Sequence, residues 1–236
     1  TALMIAAYLG NGTCVQMLPD ARADVDATGI QDSTALILAA CEGHVACVQM
    51  LLDAKADICA KTTNGSTAMI VAALQGHAAS LRPLLEAKAN IDAANESGNT
   101  ALILATIRGH RECLQLLLDA KADPDILDGG GNTASILAVI YGHSKCLQLL
   151  LDAKADVSIT NMEGNTTFMQ AACGGDTACL QLLLDAKAVI DATDKDGNTA
   201  SILAACSGQS TCLQLLLDAK SNVATANQLG NTAVIL

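Results

Sequence analysis

The stretch that decides the fold is Asn99–Gly131, which reads NTALILATIRGHRECLQLLLDAKADPDILDGGG. A period of 33 residues is typical of a solenoid, in which one supersecondary unit is stacked on copies of itself. Seven full periods and the first five residues of an eighth account for all 236 residues. The threonine that opens each period recurs without any insertion, at Thr1, Thr34, Thr67, Thr100, Thr133, Thr166, Thr199 and Thr232.

The sequence of each repeat predicts two short helices followed by an extended loop. Thr100 is a predicted N-cap, because its hydroxyl can accept a hydrogen bond from a first-turn amide. The apolar run ALILATIR follows, and Gly109 ends it at a position that favours positive φ. A second helix is predicted from about Arg111 to Ala120, and then a turn at Gly129–Gly131. Helices this short do not persist alone in water, so the repeats are expected to stack.

The pattern Thr-Ala-Leu-x-Leu-Ala-x-x-x-Gly-His, then Leu-Leu-Leu-x-Ala-x-Ala-Asp, then a Gly-Asn turn, resembles the ankyrin repeat along the whole chain. The resemblance implies an all-α, ankyrin-type solenoid of seven 33-residue helix-turn-helix repeats with projecting hairpin loops, plus the start of an eighth. It implies a single array over residues 1–236. It also implies a non-catalytic scaffold that binds a partner protein through a concave face made by hairpin tips and first helices.

The chain departs from the family pattern at three places in the repeat. Ala101 and Ile103 stand where the family has Pro and His, so an apolar seam is expected instead of a hydrogen-bonded one. Lys121 replaces the usual Gly after the second helix. A cation there complements the helix dipole by about 0.3–1 kcal/mol, which would partly offset the strain of a left-handed lysine.

Two prolines fall inside predicted second helices. Pro19 lies near the end of its helix, where it can be tolerated. Pro83 is deeper, in SLRPLLEA, and predicts a kink or a shortened helix, because Pro in a helix interior costs about 3 kcal/mol.

Composition and charge exclude several classes of partner. The net charge of −11 and the pI near 4.5 oppose binding to nucleic acid and to anionic membranes. The sequence has neither an apolar run of about 18 residues nor a visible secretory signal, so membrane insertion by this segment is not expected. The pattern begins and stops inside a motif without polar capping repeats, which predicts a segment of a longer chain.

The ten cysteines follow the repeat, which argues against a disulfide framework. Most hold one place, at the start of an apolar stretch such as CLQLLL, and are predicted to be small buried hydrophobic residues. We therefore expect thiols and a reducing compartment such as the cytoplasm.

No chemistry-bearing residues break the repeat. His44, His77, His110 and His143 share one place, about 10 Å apart, which is too far for them to share a metal ion. Nucleophile-elbow, phosphate-loop and zinc-protease motifs are missing from the sequence. The prediction is therefore no catalytic residue, no metal, no cofactor and no small-molecule substrate.

Family resemblance places the partner-binding residues just before the glycine between the two helices. The candidates there are Tyr8, Glu42, Leu74, Gln75, Ile107, Arg108, Ile140 and Tyr141, with Met162 at a hairpin tip. Ile30 and Leu229 are further apolar tip residues. The middle of this row is unusually apolar for a solvent face, which favours a hot-spot strip. The alternative is that the first residue of each pair belongs to the core.

Three functions remain open from the sequence. The array could be an adaptor in a signalling or regulatory chain, a permanent structural subunit of a large assembly, or the regulatory domain of a larger enzyme or channel. The apolar groove favours a lasting interface, because obligate interfaces are more hydrophobic.

Overall fold

The computed structural model describes residues 1–234, which contain fourteen α-helices arranged as seven pairs. The last two residues of the predicted eighth repeat, 235–236, lie outside the described residues. The chain divides into two compact units, residues 1–123 and 124–236. The prediction of a single array over 1–236 stays a prediction.

In the first unit, four helix pairs form two layers. The first helix of each pair packs on the first helix of the next, and the second helices do the same. A short 3-10 turn at Ile30–Asp32 lies in the first hairpin. The helices are α1 (Ala2–Tyr8), α2 (Gly12–Asp20), α3 (Ala35–Cys41), α4 (Val45–Asp53), α5 (Ala68–Gln75), α6 (Ala78–Glu86), α7 (Ala101–Ile107) and α8 (Arg111–Asp119).

In the second unit, three helix pairs repeat the same two-layer arrangement. Its helices are α9 (Ala134–Ile140), α10 (Ser144–Asp152), α11 (Thr167–Gly174), α12 (Thr177–Asp185), α13 (Ala200–Cys206) and α14 (Ser210–Asp218). The β pairing found in residues 1–234 is confined to two isolated bridges, Ala94–Thr100 and Thr193–Thr199. The prediction of an all-α fold is therefore confirmed.

Each first helix begins at a threonine, as the sequence predicts. The Thr100 hydroxyl accepts a hydrogen bond from the Ile103 amide at 3.3 Å, and the other six first helices have the same cap. The glycine that ends each first helix has positive φ, for example +70° at Gly109. The threonine cap and the glycine with positive φ therefore set where each first helix begins and ends.

The cation that follows each second helix adopts the left-handed conformation. Lys121 has φ +70°, and Arg22 and the other five lysines at this place have φ between +59° and +68°. A left-handed residue other than glycine costs about 1–2 kcal/mol, and the attraction of the ammonium to the helix C-terminus returns only part of that cost. Each repeat therefore carries a small strain that the family's usual glycine would avoid.

Replacing Lys121 with glycine is expected to stabilise the chain. Lys121→Gly removes the Cβ strain and should raise the free energy of unfolding by about 0.5–1 kcal/mol, measured by urea denaturation with far-UV circular dichroism. The matched control is Lys145→Gly inside α10, which should lower it by up to about 1 kcal/mol, because glycine weakens a helix. Equal responses of the two variants would contradict this account.

The core is built from small and aliphatic side chains. Alanines such as Ala105 and Ala138 are fully buried in the first helices, which lets neighbouring helices approach closely. Ile103 and Ile136 are also buried, which confirms the predicted apolar seam. The only Phe, Phe168, is buried in α11, which packs between α9 and α13. Those two helices carry Ser135 and Ser201 at the place of Phe168, where four other repeats have Leu or Met: Leu3, Leu36, Met69 and Leu102.

The expected disruption at Pro83 is wrong in one respect. Helix α6 runs from Ala78 to Glu86 through Pro83 and has nine residues, like every other second helix in the described chain, so it is not shortened. Proline cannot donate to the carbonyl of Ala79, which belongs to an exposed residue of the first turn that water can reach. Pro19 is likewise accommodated near the end of α2, as predicted.

Ser80 is the one exception in the column of cysteines that opens the second helices. It is fully buried, and within the described residues its Oγ has no hydrogen-bond partner. A buried polar group without a partner costs about 1–3 kcal/mol. The third repeat therefore combines a helix proline with an unsatisfied hydroxyl.

Restoring the repeat's own residue at this position should stabilise the protein. Ser80→Cys is expected to raise the free energy of unfolding by about 1 kcal/mol, because a thiol tolerates burial without a partner. Ser97→Cys, on an exposed hairpin tip, is the control and should change it by less than about 0.5 kcal/mol. A lower midpoint for Ser80→Cys than for the unchanged protein in urea denaturation would show that the buried hydroxyl does not destabilise the fold.

Candidate interaction surface

The exposed ends of the first helices and the hairpin tips form a surface that we call the inner face. In the first unit it comprises Tyr8, Glu42, Leu74, Gln75, Ile107 and Arg108, and in the second Ile140, Tyr141 and Met162. The threonine cap and the left-handed glycine fix the ends of each first helix. The two residues that precede the glycine therefore lie at the C-terminal end of that helix. All nine side chains are at least partly exposed.

The half-exposed apolar members of the inner face are not core residues. Tyr8 is 51% exposed, Ile140 46% and Tyr141 52%, while Leu74 and Ile107 are partly exposed. The alternative that the first residue of each pair belongs to the core is therefore wrong for Tyr8 and Ile140, and it stays open for Leu74 and Ile107. Exposed aromatic and branched side chains next to polar ones resemble the composition of protein interfaces.

A second column of first-helix residues, some of which reach the inner face, was missed by the sequence analysis. It lies one helical turn before the predicted residues and is apolar in six of seven repeats: Ile5, Leu38, Val71, Leu104, Leu137, Gln170 and Leu203. Ile5 is largely exposed, Leu38 is partly exposed, and Leu137 is buried. The spacing of three and four residues from the predicted pairs is the signal that could have found them.

The histidines at the start of the second helices hold neighbouring repeats together. In the first unit, His44 Nε2 lies 3.0 Å from the Tyr8 carbonyl and His110 Nε2 lies 3.1 Å from the Leu74 carbonyl. A carbonyl only accepts, so Nε2 carries the proton in both rings. The rings also cover the glycines of the preceding turns, since a Cβ on Gly76 would lie 2.8 Å from the His110 ring.

The two histidines thus satisfy backbone carbonyls at the inter-helix turn of the preceding repeat. Their hydrogen bonds also fix the last turn of the preceding first helix, where the inner-face residues are displayed. In the second unit Gln209 takes the histidine's place, and a Cβ on Gly175 would collide with its side-chain amide. His44, His77, His110 and Gln209 therefore act as spacers between repeats, whereas in residues 1–234 nothing lies within 4 Å of a Cβ on Gly142, where Asp176 holds the place.

Removing one of these rings should weaken the stack. His110→Ala is expected to lower the free energy of unfolding by about 1–2 kcal/mol, because a hydrogen bond and the packing on Gly76 are both lost. His110→Gln should lose less, since glutamine fills this place on Gly175. The exposed neighbour Arg111 serves as control, and a loss for Arg111→Ala as large as that for His110→Ala in urea denaturation would refute the spacer role.

Two of the thiols, Cys41 in α3 and Cys113 in α8, are poor nucleophiles. Burial raises the pKa of Cys41, and the Glu42 carboxylate raises it further. Burial, aided by Glu112, raises the pKa of Cys113 to about 11. Because the thiolate is the reactive form, these groups stay protonated at neutral pH. The ten cysteines, all of which lie in the described residues, form no disulfide.

Between residues 1 and 234, no group of three or more His, Cys, Asp or Glu side chains could hold a metal ion. None of the helices in the same range has the length and apolar character that crossing a bilayer requires.

The family described as Ankyrin repeats (3 copies) matches residues 3–95, 54–128, 90–161 and 136–228. The chain belongs to the ankyrin repeat family. Ankyrin repeat domains are generally protein–protein interaction modules, and the fold is typically a non-catalytic scaffold.

Two solved ankyrin structures are similar to this chain. The ankyrin repeat domain of human ASB11 is 29% identical, with a TM-score of 0.79, and the match covers 92% of this chain and 97% of that one. The ankyrin repeat domain of Bcl-3, described as a unique member of the IkappaB protein family, is 26% identical, with a TM-score of 0.84 and coverage of 92% and 98%. A comparison with curated proteins finds no match.

Proposed function

We propose that this ankyrin chain is a non-catalytic scaffold that binds a partner protein through its inner face, the concave face of the family. The observation that carries the proposal is the pair Ile140 and Tyr141, which expose an apolar and an aromatic side chain side by side at the end of α9. Aromatic and apolar anchors of this kind supply most of the binding energy at protein interfaces.

A lasting contact fits this surface better than a brief one. Leu74 and Ile107 in the first unit, and Ile140 in the second, are apolar side chains at positions that reach solvent. Obligate interfaces are more hydrophobic than transient ones, so a permanent subunit of an assembly is the form of scaffold that we favour. A regulatory role beside an enzyme or channel would use the same face.

The chemistry of the chain supports further parts of the proposal. The net charge of −11 opposes contact with a phosphate backbone, so the partner is a protein and not a nucleic acid. Ten cysteines without a disulfide fit a reducing compartment such as the cytoplasm. The thiols with raised pKa values are not equipped for nucleophilic catalysis.

The test is a double substitution on the inner face. Ile140→Ser with Tyr141→Ser should reduce retention of the specific partner at least about tenfold, because each truncated anchor costs more than about 1 kcal/mol. Retention is measured by quantitative mass spectrometry of proteins captured from the source cells on the tagged chain. Far-UV circular dichroism should show unchanged helicity, because both side chains are half exposed.

The matched control removes two exposed apolar side chains elsewhere in the same unit. Val189→Ser with Leu217→Ser changes a loop and the outer helix α14, and should leave capture of the partner unchanged. Equal loss with both double variants, or full retention by the inner-face variant, would disprove binding through Ile140 and Tyr141.

A further inference from the structure

Aspartate side chains connect the loops that follow neighbouring second helices. In the first unit, Asp26 Oδ1 accepts a hydrogen bond from the Asp57 amide at 2.7 Å, and the two residues lie 31 positions apart. Three further pairs have the same spacing and distances of 2.9–3.0 Å: Asp92 with the Asp123 amide in the first unit, and Asp125 with the Asp156 amide and Asp191 with the Asn222 amide in the second. In each pair the carboxylate satisfies a backbone donor of the next repeat.

The second repeat has no carboxylate at this place. Cys59 stands there, at the same spacing from Asn90 as in the four pairs, and a thiol is only a weak acceptor. Within residues 1–234, the Asn90 amide donates to no acceptor of the chain. Asn90 is exposed, so a ligand can reach this amide. The third repeat therefore presents a free backbone donor, whereas the equivalent amides of Asp57 and Asp123 are bound by carboxylates.

A pocket of about 290 Å³ lies beside Cys59 and Asn90 in the first unit. Its lining includes two residues from each of two successive loops, Cys59 with Lys61 and Asn90 with Asp92. Pockets for drug-sized ligands occupy roughly 300–1,000 Å³, so this one suits a group the size of a single amino-acid side chain. None of the residues that line it belongs to the inner face.

Lys61 adds a positive charge to this pocket. Its side chain is exposed and, within the described residues, forms no ion pair. The other six repeats have Thr, Ala or Leu at its place, including the fifth, where Ser158 also replaces the aspartate. The carboxylates of Asp57 and Asp92 are near, but each already accepts from a backbone amide, at 2.8 and 3.0 Å. The second repeat alone thus combines a missing carboxylate with an added cation.

We propose that this pocket binds the side-chain carboxylate of an aspartate from a partner protein. The bound carboxylate accepts a hydrogen bond from the Asn90 amide and lies near the Lys61 ammonium, and charge-assisted hydrogen bonds of this kind are about twice as strong as neutral ones. Aspartate is the fitting side chain, because the chain itself places an aspartate here in four other repeats. The nearby charges of Asp57 and Asp92 keep the affinity low, so the contact is one part of a larger interface. The site lies outside the inner face and therefore goes beyond the proposed function.

A short synthetic peptide with one aspartate tests the proposal directly. The probe is acetylated and amidated Gly-Gly-Asp-Gly-Gly, titrated into the ¹⁵N-labelled chain and followed by amide chemical shifts. We expect the Asn90 amide proton to move downfield as it gains a hydrogen bond, with a dissociation constant on the order of 1–10 mM. The counterpart with asparagine in place of aspartate should bind at least about tenfold more weakly, because it carries no charge.

Substitutions of Cys59 and Lys61 separate the contributions to binding. Cys59→Asp restores the repeat's own residue, whose carboxylate should engage the Asn90 amide and weaken the aspartate peptide at least about tenfold. Cys59→Ala is its matched control, since it leaves the pocket open, and should bind the peptide within about twofold of the unchanged chain. Lys61→Gln should weaken the peptide severalfold, whereas Lys121→Gln, which removes a cation of the same unit outside the pocket, should have no effect.

Several outcomes would overturn the proposal. These are an unchanged Asn90 amide with the peptide at about 100 mM, equal binding of the asparagine peptide, or equal effects of Cys59→Asp and Cys59→Ala. Tighter binding of inorganic phosphate than of the aspartate peptide would also overturn it, because the pocket would then be a phosphate site. The titration does not involve Ile140 or Tyr141, so its failure leaves the inner-face proposal standing, and failure of the inner-face test leaves the pocket standing.

Discussion

Helices of seven to nine residues are unstable in water on their own, so the burial of each first helix between its neighbours keeps this chain folded. Alanine at the centre of these helices, as at Ala72 and Ala105, allows the backbones to approach closely. In the first unit, histidines then tie neighbouring repeats together by packing on the preceding glycine, as His110 does on Gly76. Stability is in this sense shared between neighbours and does not belong to any single repeat.

The repeats share one fold but differ in the unfavourable local features that they contain. In each repeat, the Lys or Arg that follows the second helix has a left-handed backbone conformation. The third repeat adds a proline within α6 and a buried hydroxyl at Ser80 without a partner, and the first adds two consecutive left-handed residues at Gln31 and Asp32. A stack tolerates such local costs because the surrounding burial is large.

The exposed side chains of the inner face provide surface for contact with another molecule rather than reactive groups. Cys41 lies in the same column as Tyr8 and Ile140, yet burial and Glu42 hold its thiol protonated. Two carbonyls in the last turn of first helices, those of Tyr8 and Leu74, accept hydrogen bonds from histidines of the next repeat. The exposed members of the inner face combine apolar and aromatic side chains with Glu42, Gln75 and Arg108, a composition similar to that of protein interfaces.

The sequence by itself determined the period, the helix ends and the buried seam, because threonine caps, left-handed glycines and apolar spacing act within one repeat. Only the tertiary structure decided the rest. It showed that α6 continues through Pro83, since an exposed first-turn carbonyl needs no internal partner, and that Ile140 and Tyr8 are not core. It also brought Cys59, Lys61 and Asn90 to one pocket, because residues from successive repeats meet only when the stack has formed.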